Sequence, residues 1–445
     1  MSFGPETLPR KLAELADLAG KPDRFVIAFS GGLDSTVLMY ALASSRDAHR
    51  TSLLAVHVDH GLHRDSASWT RHCESLSDAL GVDCVSVKVD VDTASGQGTE
   101  AAAREARYNA FRSLLQQGDW LLSAHHKDDQ AETLLLNLMR GSGPAGLAGI
   151  GEVRPFSVGW LVRPLLSISR SELRDYAEVH DLTWIDDPSN EDRQFDRNYL
   201  RHEVIPRLEA RWPDVANRLR RSAFLASEAS QLLDQLADAD LVDMGERPDR
   251  LALDKLRQLP FERQRNLLRY VVRELGLPSP PSTQLESIVT DLVLARDDAQ
   301  PVVRWPGAEV RRYRDKVYVL PADETDPESP VLRVRSGQGT PLGVALGELC
   351  LEPGATIGLA ENIIELGLEV RYRGGGEEIK PVGQSHTRKL KKLLQEEGVV
   401  PWMRERLPLL YSGDELVAVA DIWIAASAAS KPGTAICWKN RPPIH

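Results

Sequence analysis

Short apolar runs alternate with helix-like stretches over the first third of the chain. Four mainly apolar runs, each bounded by turn residues, predict strands: residues 25–29, 53–59, 82–91 and 120–124. Residues 68–80 and 100–115 have compositions typical of helices. Alternation at this spacing predicts an α/β domain with a doubly wound parallel sheet. Ligands of such sheets bind beyond the carboxyl ends of the strands, so the residues that follow each strand are the first candidates for a site.

The pattern changes in the second half of the chain. Residues 207–241 form one long helical pattern, and further helical runs follow at 255–275 and 284–295. The Pro- and acid-rich stretch 323–330 predicts a linker, and short strand-like runs with glycine turns follow it. We therefore expect three domains: a doubly wound α/β domain at 1–215, a mainly helical domain at 216–330 and a small α+β domain at 331–445.

Composition narrows the class of protein. The 445 residues are 42% hydrophobic and 27% charged, which is typical of a soluble globular protein. A net charge of −11 argues against non-specific coating of nucleic acid but leaves room for local basic patches. No stretch approaches the roughly 18 apolar residues that span a membrane, and the four cysteines form no C-x-x-C pair. We expect a cytoplasmic enzyme with no membrane partner.

The first predicted strand ends in the sequence SGGLDS, residues 30–35. Gly31 and Gly32 permit a close backbone approach, while Asp34 and Ser35 are natural capping residues for the helix that follows. Backbone N–H groups at the positive end of a helix suit a phosphate. The loop lacks the Gly-Lys-Ser/Thr of a Walker A motif, and a ligand-free strand–turn–helix corner remains the alternative. A second glycine loop at 141–146 matches a dinucleotide fingerprint but follows a helix, which excludes a Rossmann cofactor.

The fourth predicted strand is followed by HHKDDQAET, residues 125–133. Asp129 and Glu132 have capping-box spacing and lie on one helix face, where both can point at one ligand. Three alternatives fit: a zinc-like site, plain helix capping, and an acidic pocket for Mg²⁺ or a cationic substrate. We favour the acidic pocket, because these polar groups follow a strand that should lie near the phosphate loop.

Two basic clusters complete the set of candidates. Arg197 and Arg201 are one helical turn apart and can reach the same anion. Residues 386–394 predict a basic amphipathic helix, and Arg404 follows it. In an acidic chain this second cluster is a candidate patch for a nucleic-acid backbone. A solvated helix face is the alternative for both clusters.

Taken together, these strings resemble the tRNA(Ile)-lysidine synthetase family, which belongs to the PP-loop ATP pyrophosphatases. SGGLDS and HHKDDQAET are shared with other ATP pyrophosphatases, whereas RNYLR (197–201) and the C-terminal LKKLLQEEGVVPWMRERLPLL (390–410) are more specific. The resemblance covers nearly the whole chain and is weakest in the middle domain and at residues 331–364. It implies that residues 1–215 form a PP-loop catalytic domain and that the two following domains bind tRNA.

The resemblance also implies the reaction. ATP and L-lysine convert the wobble cytidine of a tRNA(Ile) with a CAU anticodon into lysidine, through an adenylated cytidine, with release of pyrophosphate and AMP. Mg²⁺ is the expected metal. Whether the chain forms a homodimer is left open. The alternatives are another PP-loop tRNA-modifying enzyme of the thiolase type and a non-catalytic nucleotide- or tRNA-binding module.

Site residues follow from the same resemblance. The residues expected to bind ATP are Ser30, Gly31, Gly32, Leu33, Asp34, Ser35, Arg104 and Arg107. Asp34 is also the expected metal ligand, and Asp34 and Asp129 are the expected catalytic residues. The residues expected to bind lysine are Asp129, Glu132, Arg197 and Arg201. The residues expected to bind tRNA are Arg388, Lys389, Lys391, Lys392 and Arg404.

Overall fold

The computed structural model describes residues 3–61, 63–91, 99–244, 247–296, 299–322, 332–334, 337–343, 346–442 and 444. Its contacts divide the chain into two compact units, Met1–Leu233 and Asp234–His445. The linker predicted at 323–330 lies outside the described residues. Across the described part of the chain, no helix is both long enough and apolar enough to cross a membrane.

The first unit is built from one sheet and the helices around it. Its strands are β1 (Arg24–Ala28), β2 (Ser52–Asp59), β3 (Asp83–Lys88), β4 (Trp120–Leu122), β5 (Val153–Phe156) and β6 (Gly159–Val162). Its helices are α1 (Thr7–Ala19), α2 (Leu33–Ser44), α3 (Arg46–His49), α4 (Ser66–Ala79), α5 (Thr99–Leu114), α6 (Lys127–Met139), α7 (Pro144–Leu147), α8 (Arg170–Val179), α9 (Asp196–Tyr199) and α10 (Ile205–Arg211). A 3₁₀ turn spans Pro188–Glu191, a π-helical turn spans Leu200–Val204, and α11 (Val215–Met244) continues into the second unit.

The strand order in this sheet is β3-β2-β1-β4-β6-β5. All neighbouring pairs are parallel except β5 with β6, which form an antiparallel hairpin at the edge. The order reverses between β1 and β4, which lie side by side with Ile27 opposite Leu122. The loops that leave these two strands are therefore adjacent, and such a switch point is where doubly wound sheets bind ligands. The predicted doubly wound fold is confirmed; β5 was not predicted, because residues 153–156 (VRPF) lack a strand-like apolar pattern.

Two cores flank this sheet because successive strand side chains point to opposite faces. Phe25 and Ile27 of β1 pack with apolar residues of α1, α2 and α8. Val26, between them, packs on the other face with Phe111 of α5. Each such buried side chain contributes about 1.5–3 kcal/mol through the hydrophobic effect. The loop after β1 is thus anchored by a strand that is buried on both faces.

The second unit begins with a mainly helical region that also holds a small sheet. Its helices are α12 (Leu253–Gln258), α13 (Phe261–Glu274) and α14 (Ser282–Ser287), followed by a π-helical turn at Ile288–Leu292. Its strands are β7 (Arg250–Ala252), β8 (Val302–Trp305), β9 (Ala308–Tyr313) and β10 (Lys316–Pro321), in the order β7-β10-β9-β8. One face of α13 packs Leu267, Leu268 and Val271 into the core of this region.

The remainder of the second unit is rich in strands. These are β11 (Leu332–Val334), β12 (Thr340–Pro341), β13 (Glu348–Ala355), β14 (Gly358–Leu359), β15 (Leu368–Arg371), β16 (Glu378–Ile379), β17 (Arg388–Lys389), β18 (Leu409–Ser412), β19 (Glu415–Val419), β20 (Trp423–Ile424), β21 (Ala429–Ser430) and β22 (Gly433–Lys439). Two five-stranded sheets, β11-β15-β18-β19-β20 and β12-β13-β22-β14-β21, accompany α15 (Glu361–Glu365) and α16 (Leu390–Glu397). The helix predicted at 386–394 thus starts at Leu390, because Arg388 and Lys389 pair with β16 instead.

Candidate active site

The loop between β1 and α2 is held in one shape by contacts with distant segments. Gly31 has φ +80°, and a Cβ there would lie 2.6 Å from Ile185 Cδ1 and 2.8 Å from Cys73 Sγ. The Ile185 amide donates a hydrogen bond to the Gly31 carbonyl at 2.9 Å. Gly32 is the N-cap of α2 and carries no side chain to occupy the first N–H groups of the helix. Those donors are therefore available to an anion, as a phosphate loop requires.

Serine hydroxyls tie the two ends of this loop together. Ser30 Oγ lies 3.0 Å from Ser35 Oγ, and Ser35 Oγ donates to the Gly32 carbonyl at 3.0 Å. Thr36 Oγ1 donates to the Gly31 carbonyl at 3.3 Å. The loop is preorganised by these bonds, so little ordering is left for a ligand to impose.

His126 joins the phosphate loop to the start of α6. Its imidazole is buried, with Nε2 lying 3.6 Å from Asp34 Oδ2 and 3.5 Å from Asp129 Oδ2, and Nδ1 lying 3.5 Å from Asp128 Oδ2. The backbone amide of His126 donates to Asp129 Oδ2 at 2.9 Å. The two catalytic carboxylates expected from the sequence, Asp34 and Asp129, therefore meet at one histidine.

Glu132 is fully buried and is engaged by both arginines of the RNYLR string. Arg197 Nε donates to Oε2 at 2.9 Å, and Arg201 donates from Nε to Oε1 at 2.7 Å and from Nη2 to Oε2 at 3.1 Å. Arg201 Nη2 also lies 3.5 Å from Asp129 Oδ1. The structure thus brings together all four residues expected to bind lysine, with α6 facing α9 and the π-helical turn.

Charge pairing governs protonation in this cluster. Burial lowers the pKa of His126, but the charge of Asp129 and the contacts with Asp128 and Asp34 outweigh it and raise the pKa to about 10. Burial raises the pKa of Asp129, yet the surrounding cations, His126 first, hold it below its usual value. Burial lowers the pKa of His125 to about 4. At neutral pH the site therefore holds a His126 cation, a neutral His125 and an ionised Asp129.

Arg104 and Arg107 lie on α5 beside Tyr108. The Arg104 and Arg107 guanidinium carbons are 5.0 and 5.9 Å from the centre of the Tyr108 ring, and that of Arg154 is 5.8 Å away. Burial raises the pKa of Tyr108, but the positive charges of these arginines and of Arg163 bring it below its ordinary value. The charge of Arg104 also reaches His125, whose pKa it lowers. These arginines form a cationic cluster able to attract phosphate.

Comparison with known proteins identifies this arrangement. Family models match a PP-loop domain at residues 5–208, a TilS substrate binding domain at 251–318 and a TilS substrate C-terminal domain at 368–438. The tRNA(Ile)-lysidine synthase of Alkalilimnicola ehrlichii is 44% identical over 442 residues, which cover 99% of this chain and 98% of that protein. The chain belongs to the tRNA(Ile)-lysidine synthase family. Two further tRNA(Ile)-lysidine synthases are similar over nearly their whole length. That of Coxiella burnetii is 39% identical, with 95% of this chain and 94% of that protein covered. That of Xanthomonas campestris is 41% identical, with 96% of this chain and 98% of that protein covered.

Membership of the tRNA(Ile)-lysidine synthase family confirms the expected family and enzyme class, an ATP-dependent ligase with a PP-loop domain. It favours this function over the thiolase and the non-catalytic module. It leaves the roles of individual residues as predictions. Across the described residues, no group of three or more His, Cys, Asp or Glu side chains is arranged to hold a metal ion.

The residues expected to bind tRNA have different surroundings. Lys389, Lys391 and Lys392 are exposed, whereas Arg388 is paired with Glu396 at 2.5 Å. Arg404 donates from Nε to the Val399 carbonyl and from Nη2 to the Tyr313 hydroxyl, both at 2.8 Å. Its guanidinium therefore already has partners inside the second unit, one of them on β9.

Sequence reasoning missed two buried cations of the first unit. His126 was part of the HHKDDQAET string but was given no role of its own, although it lies only two and three residues before the carboxylates Asp128 and Asp129. Arg163 follows β6 and donates to the Gly151 carbonyl at 2.6 Å, while burial lowers its pKa to about 10. The signal for Arg163 was a lone charge inside an apolar run, GWLVRPLL at 159–166.

Proposed function

We propose that this chain forms lysidine by joining L-lysine to the wobble cytidine of a tRNA(Ile) with a CAU anticodon, at the expense of ATP. One observation carries the proposal: the phosphate loop after β1 and the Asp129–Glu132 cluster after β4 meet at the switch point of the sheet, joined by His126. A nucleotide and a cationic acceptor can therefore bind side by side. The relatives' names supply the identity of the RNA, and the acidic cluster supports a lysine acceptor.

Two displacements make up the reaction. The cytosine carbonyl oxygen attacks the α-phosphorus of ATP, and pyrophosphate leaves toward the N–H groups of residues 30–35. The adenylated ring carbon is then attacked by the amine of lysine, which loses a proton, and AMP leaves with the oxygen. Arg104 and Arg107 would add positive charge near the phosphates as negative charge develops.

Asp129 is the carboxylate best placed to meet the lysine. Its side chain is 13% exposed, whereas that of Glu132 is 1% exposed and both its oxygens accept hydrogen bonds from arginine. A direct contact between Glu132 and lysine would need an exchange of partners, so its assignment as a lysine ligand stays a prediction. In our proposal, Glu132 orients Arg197 and Arg201 toward the lysine carboxylate. Asp129 pairs with the attacking amine of lysine and accepts its proton.

Asp34 suits a magnesium ion that accompanies ATP. Its Oδ1 atom is buried and has no hydrogen-bond partner among the described residues. Mg²⁺ is commonly bound by one or two carboxylates together with substrate phosphates and water, so a single aspartate beside a phosphate loop fits it. When bound there, the ion would neutralise phosphate charge.

The remaining partners follow from this function. We propose that the second unit binds tRNA through Lys389, Lys391 and Lys392, with Arg388 and Arg404 as further candidates, mainly by contacts with the RNA backbone. Because tRNA is the substrate, the cytoplasm is the compartment we propose. A homodimer would be detected by sedimentation of the free protein, and the reaction as written does not require one.

Transfer of labelled lysine to tRNA(Ile) transcripts tests the proposal. We expect incorporation that depends on ATP and Mg²⁺, with one AMP and one pyrophosphate released for each lysine. Transcripts of tRNA(Met), which share the CAU anticodon, are the matched control and should not be modified. Absence of ATP-dependent incorporation of lysine into tRNA(Ile), at any Mg²⁺ concentration, would refute the proposed function.

A further inference from the structure

The start of α11 carries an exposed basic surface that the proposed chemistry does not use. Arg218, Arg220 and Arg221 are exposed, and Phe224 is 58% exposed beside them. With Asp214 and Asn217 they line a shallow concavity of about 490 Å³. Just before the helix, Trp212 is 48% exposed, and the Arg211 guanidinium carbon lies 5.7 Å from its ring centre. We refer to Arg211, Trp212, Arg218, Arg220, Arg221 and Phe224 as the α11 basic surface.

The three helical arginines of this surface lack acidic partners. Among the described residues, no side-chain hydrogen bond or ion pair is found for Arg218, Arg220 or Arg221. Asp214, the nearest acid along the chain, instead accepts a hydrogen bond from Asn217. Three uncompensated cations in a chain of net charge −11 indicate a surface that meets an anion from outside.

Their position on the helix strengthens this argument. The N-terminal end of a helix is positive, so cations there are unfavourable and an anion is stabilising. α11 has 30 residues and no acidic residue in its first turn, and the arginines are its fourth, sixth and seventh residues. Arg218 therefore lies in the first turn, where the helix end disfavours a cation and favours an anion. A phosphate bound there would be attracted by Arg218 and by the helix end together.

The aromatic residues specify the kind of anion. Trp212 and Phe224 expose flat apolar rings next to guanidinium groups, a combination typical of RNA-binding surfaces, where rings contact bases or sugars and arginines contact phosphates. The first residue of this surface is also close to the active site along the chain. Arg201, which holds Glu132, is ten residues before Arg211 on one helical run, a rise of about 15 Å. An RNA with one nucleotide in the site would have its flanking backbone within reach of Arg211, from which the three residues 212–214 lead to α11.

We propose that the α11 basic surface binds the sugar–phosphate backbone of the tRNA substrate, next to the nucleotide that is modified. This inference rests on the proposed function for the identity of the RNA. It adds a contact surface in the first unit to those expected in the second. Its contribution is electrostatic, so it should depend on salt and not on base sequence.

The test uses the full chain with Arg218→Gln, Arg220→Gln and Arg221→Gln combined. Binding of tRNA(Ile) is measured by filter retention or anisotropy between 50 and 300 mM salt. Each lost phosphate contact should lower the slope of log Kd against log salt by about one, so we expect a decrease of about two to three and a tenfold or larger rise in Kd at low salt. The KM values for ATP and lysine at saturating tRNA should not change.

A matched control removes the same charge elsewhere on the first unit. Arg10→Gln, Lys21→Gln and Arg174→Gln affect exposed side chains outside the site and should leave the salt slope unchanged. The charge-preserving variant Arg218→Lys, Arg220→Lys and Arg221→Lys should retain most of the wild-type binding. If the triple glutamine variant fails to fold, as judged by circular dichroism, the single variants R218Q, R220Q and R221Q replace it, each with an expected slope change of about one.

The outcomes separate the inference from the proposed function. Wild-type protein that binds tRNA(Ile) and forms lysidine, together with a triple variant of unchanged slope, would overturn the inference alone. Wild-type protein that forms no lysidine would refute the proposed function. A triple variant that changes sedimentation of the free protein but not the salt slope would show that the surface meets a second copy of the chain, which also overturns the inference.

Discussion

Two groups of arginines lie close together in the sequence and have opposite surroundings. Arg197 and Arg201 are partly buried and contact Glu132 and Asp129. Arg218, Arg220 and Arg221 are exposed and lack acidic partners within the described chain. A buried ion pair depends on every one of its partners, because removal of one leaves an unpaired charge in a dry environment. An exposed cation is nearly independent of its neighbours and acts by long-range attraction of anions, which salt screens.

The buried arginines are suited to positioning a substrate, and the exposed arginines are suited to attracting a polyanion. Hydrogen bonds to Glu132 fix the orientation of the Arg197 and Arg201 guanidinium groups. A fixed orientation of this kind is what the positioning of a reacting amine requires. The exposed group tolerates a mobile partner and increases the rate of encounter and the affinity for a polyanion. The predictions below therefore differ in what each variant changes: stability and lysine binding for the buried group, tRNA binding for exposed cations.

The largest effect is expected for Glu132→Ala. Removing this carboxylate leaves Arg197 and Arg201 without their main partner, so we expect a loss of about 3–5 kcal/mol in the free energy of unfolding. Lysine KM should rise far more than ATP KM, because the arginines lose their orientation while the phosphate loop is untouched. Urea unfolding and steady-state kinetics measure the two effects.

Glu178→Ala is the control for this substitution. Glu178 is exposed on α8, so its removal should change stability by less than about 0.5 kcal/mol. Equal stability of the Glu132 and Glu178 variants would show that the buried cluster is not the interdependent unit described above.

A smaller effect is expected for His126→Gln, which keeps a polar side chain but cannot carry the charge that bridges Asp34 and Asp129. Both KM values, for ATP and for lysine, should rise on the order of tenfold, equivalent to about 1.4 kcal/mol each. His125→Gln serves as the comparison, since His125 contacts Ser123 and its imidazole is neutral. A His126 variant that impairs only one substrate would contradict a bridging role.

A smaller loss of stability than for Glu132→Ala is expected in the second unit. Arg404→Ala loses hydrogen bonds to the Val399 carbonyl and the Tyr313 hydroxyl, so we expect a loss of about 1–2 kcal/mol in the free energy of unfolding.

The double variant Lys391→Gln and Lys392→Gln should leave stability unchanged and lower the salt slope of tRNA binding by about two. Thermal unfolding measures the stability of both variants, and tRNA binding at different salt concentrations measures the slope. A lysine double variant that is unstable but binds tRNA normally would show that these lysines serve the fold and not tRNA binding.

Much of this architecture could be predicted from local pattern. The strand–loop–helix around residues 25–44 and the acidic helix start at 127–132 have strong signals over a few residues. Their adjacency also followed, because it depends only on the general rule for switch points in parallel sheets. The antiparallel strand β5 did not follow, since its pairing with β6 is decided by the sheet edge and not by its own composition.

Contacts between distant segments could not be read from the sequence. Glu132 and Arg201 are 69 residues apart, and nothing near Glu132 indicates that its oxygens are already engaged. Arg404 has the sequence environment of a solvated basic residue, yet it is bonded to Tyr313, 91 residues earlier. In both cases tertiary packing decides which charges remain available, and local pattern carries no information about it.

The π-helical turn at Leu200–Val204 has a consequence for the evolution of this segment. Such a turn holds one residue more than an α-helical turn. Deleting one residue there can therefore be absorbed by conversion of the turn to an α-helical one, which keeps α10 and the start of α11 in their present direction. A single deletion within α10, which has no extra residue, would instead rotate everything after it by about 100° and draw it back by about 1.5 Å. Single-residue length changes should therefore survive at residues 200–204 and not at 205–211, even where no side chain in that interval touches a substrate.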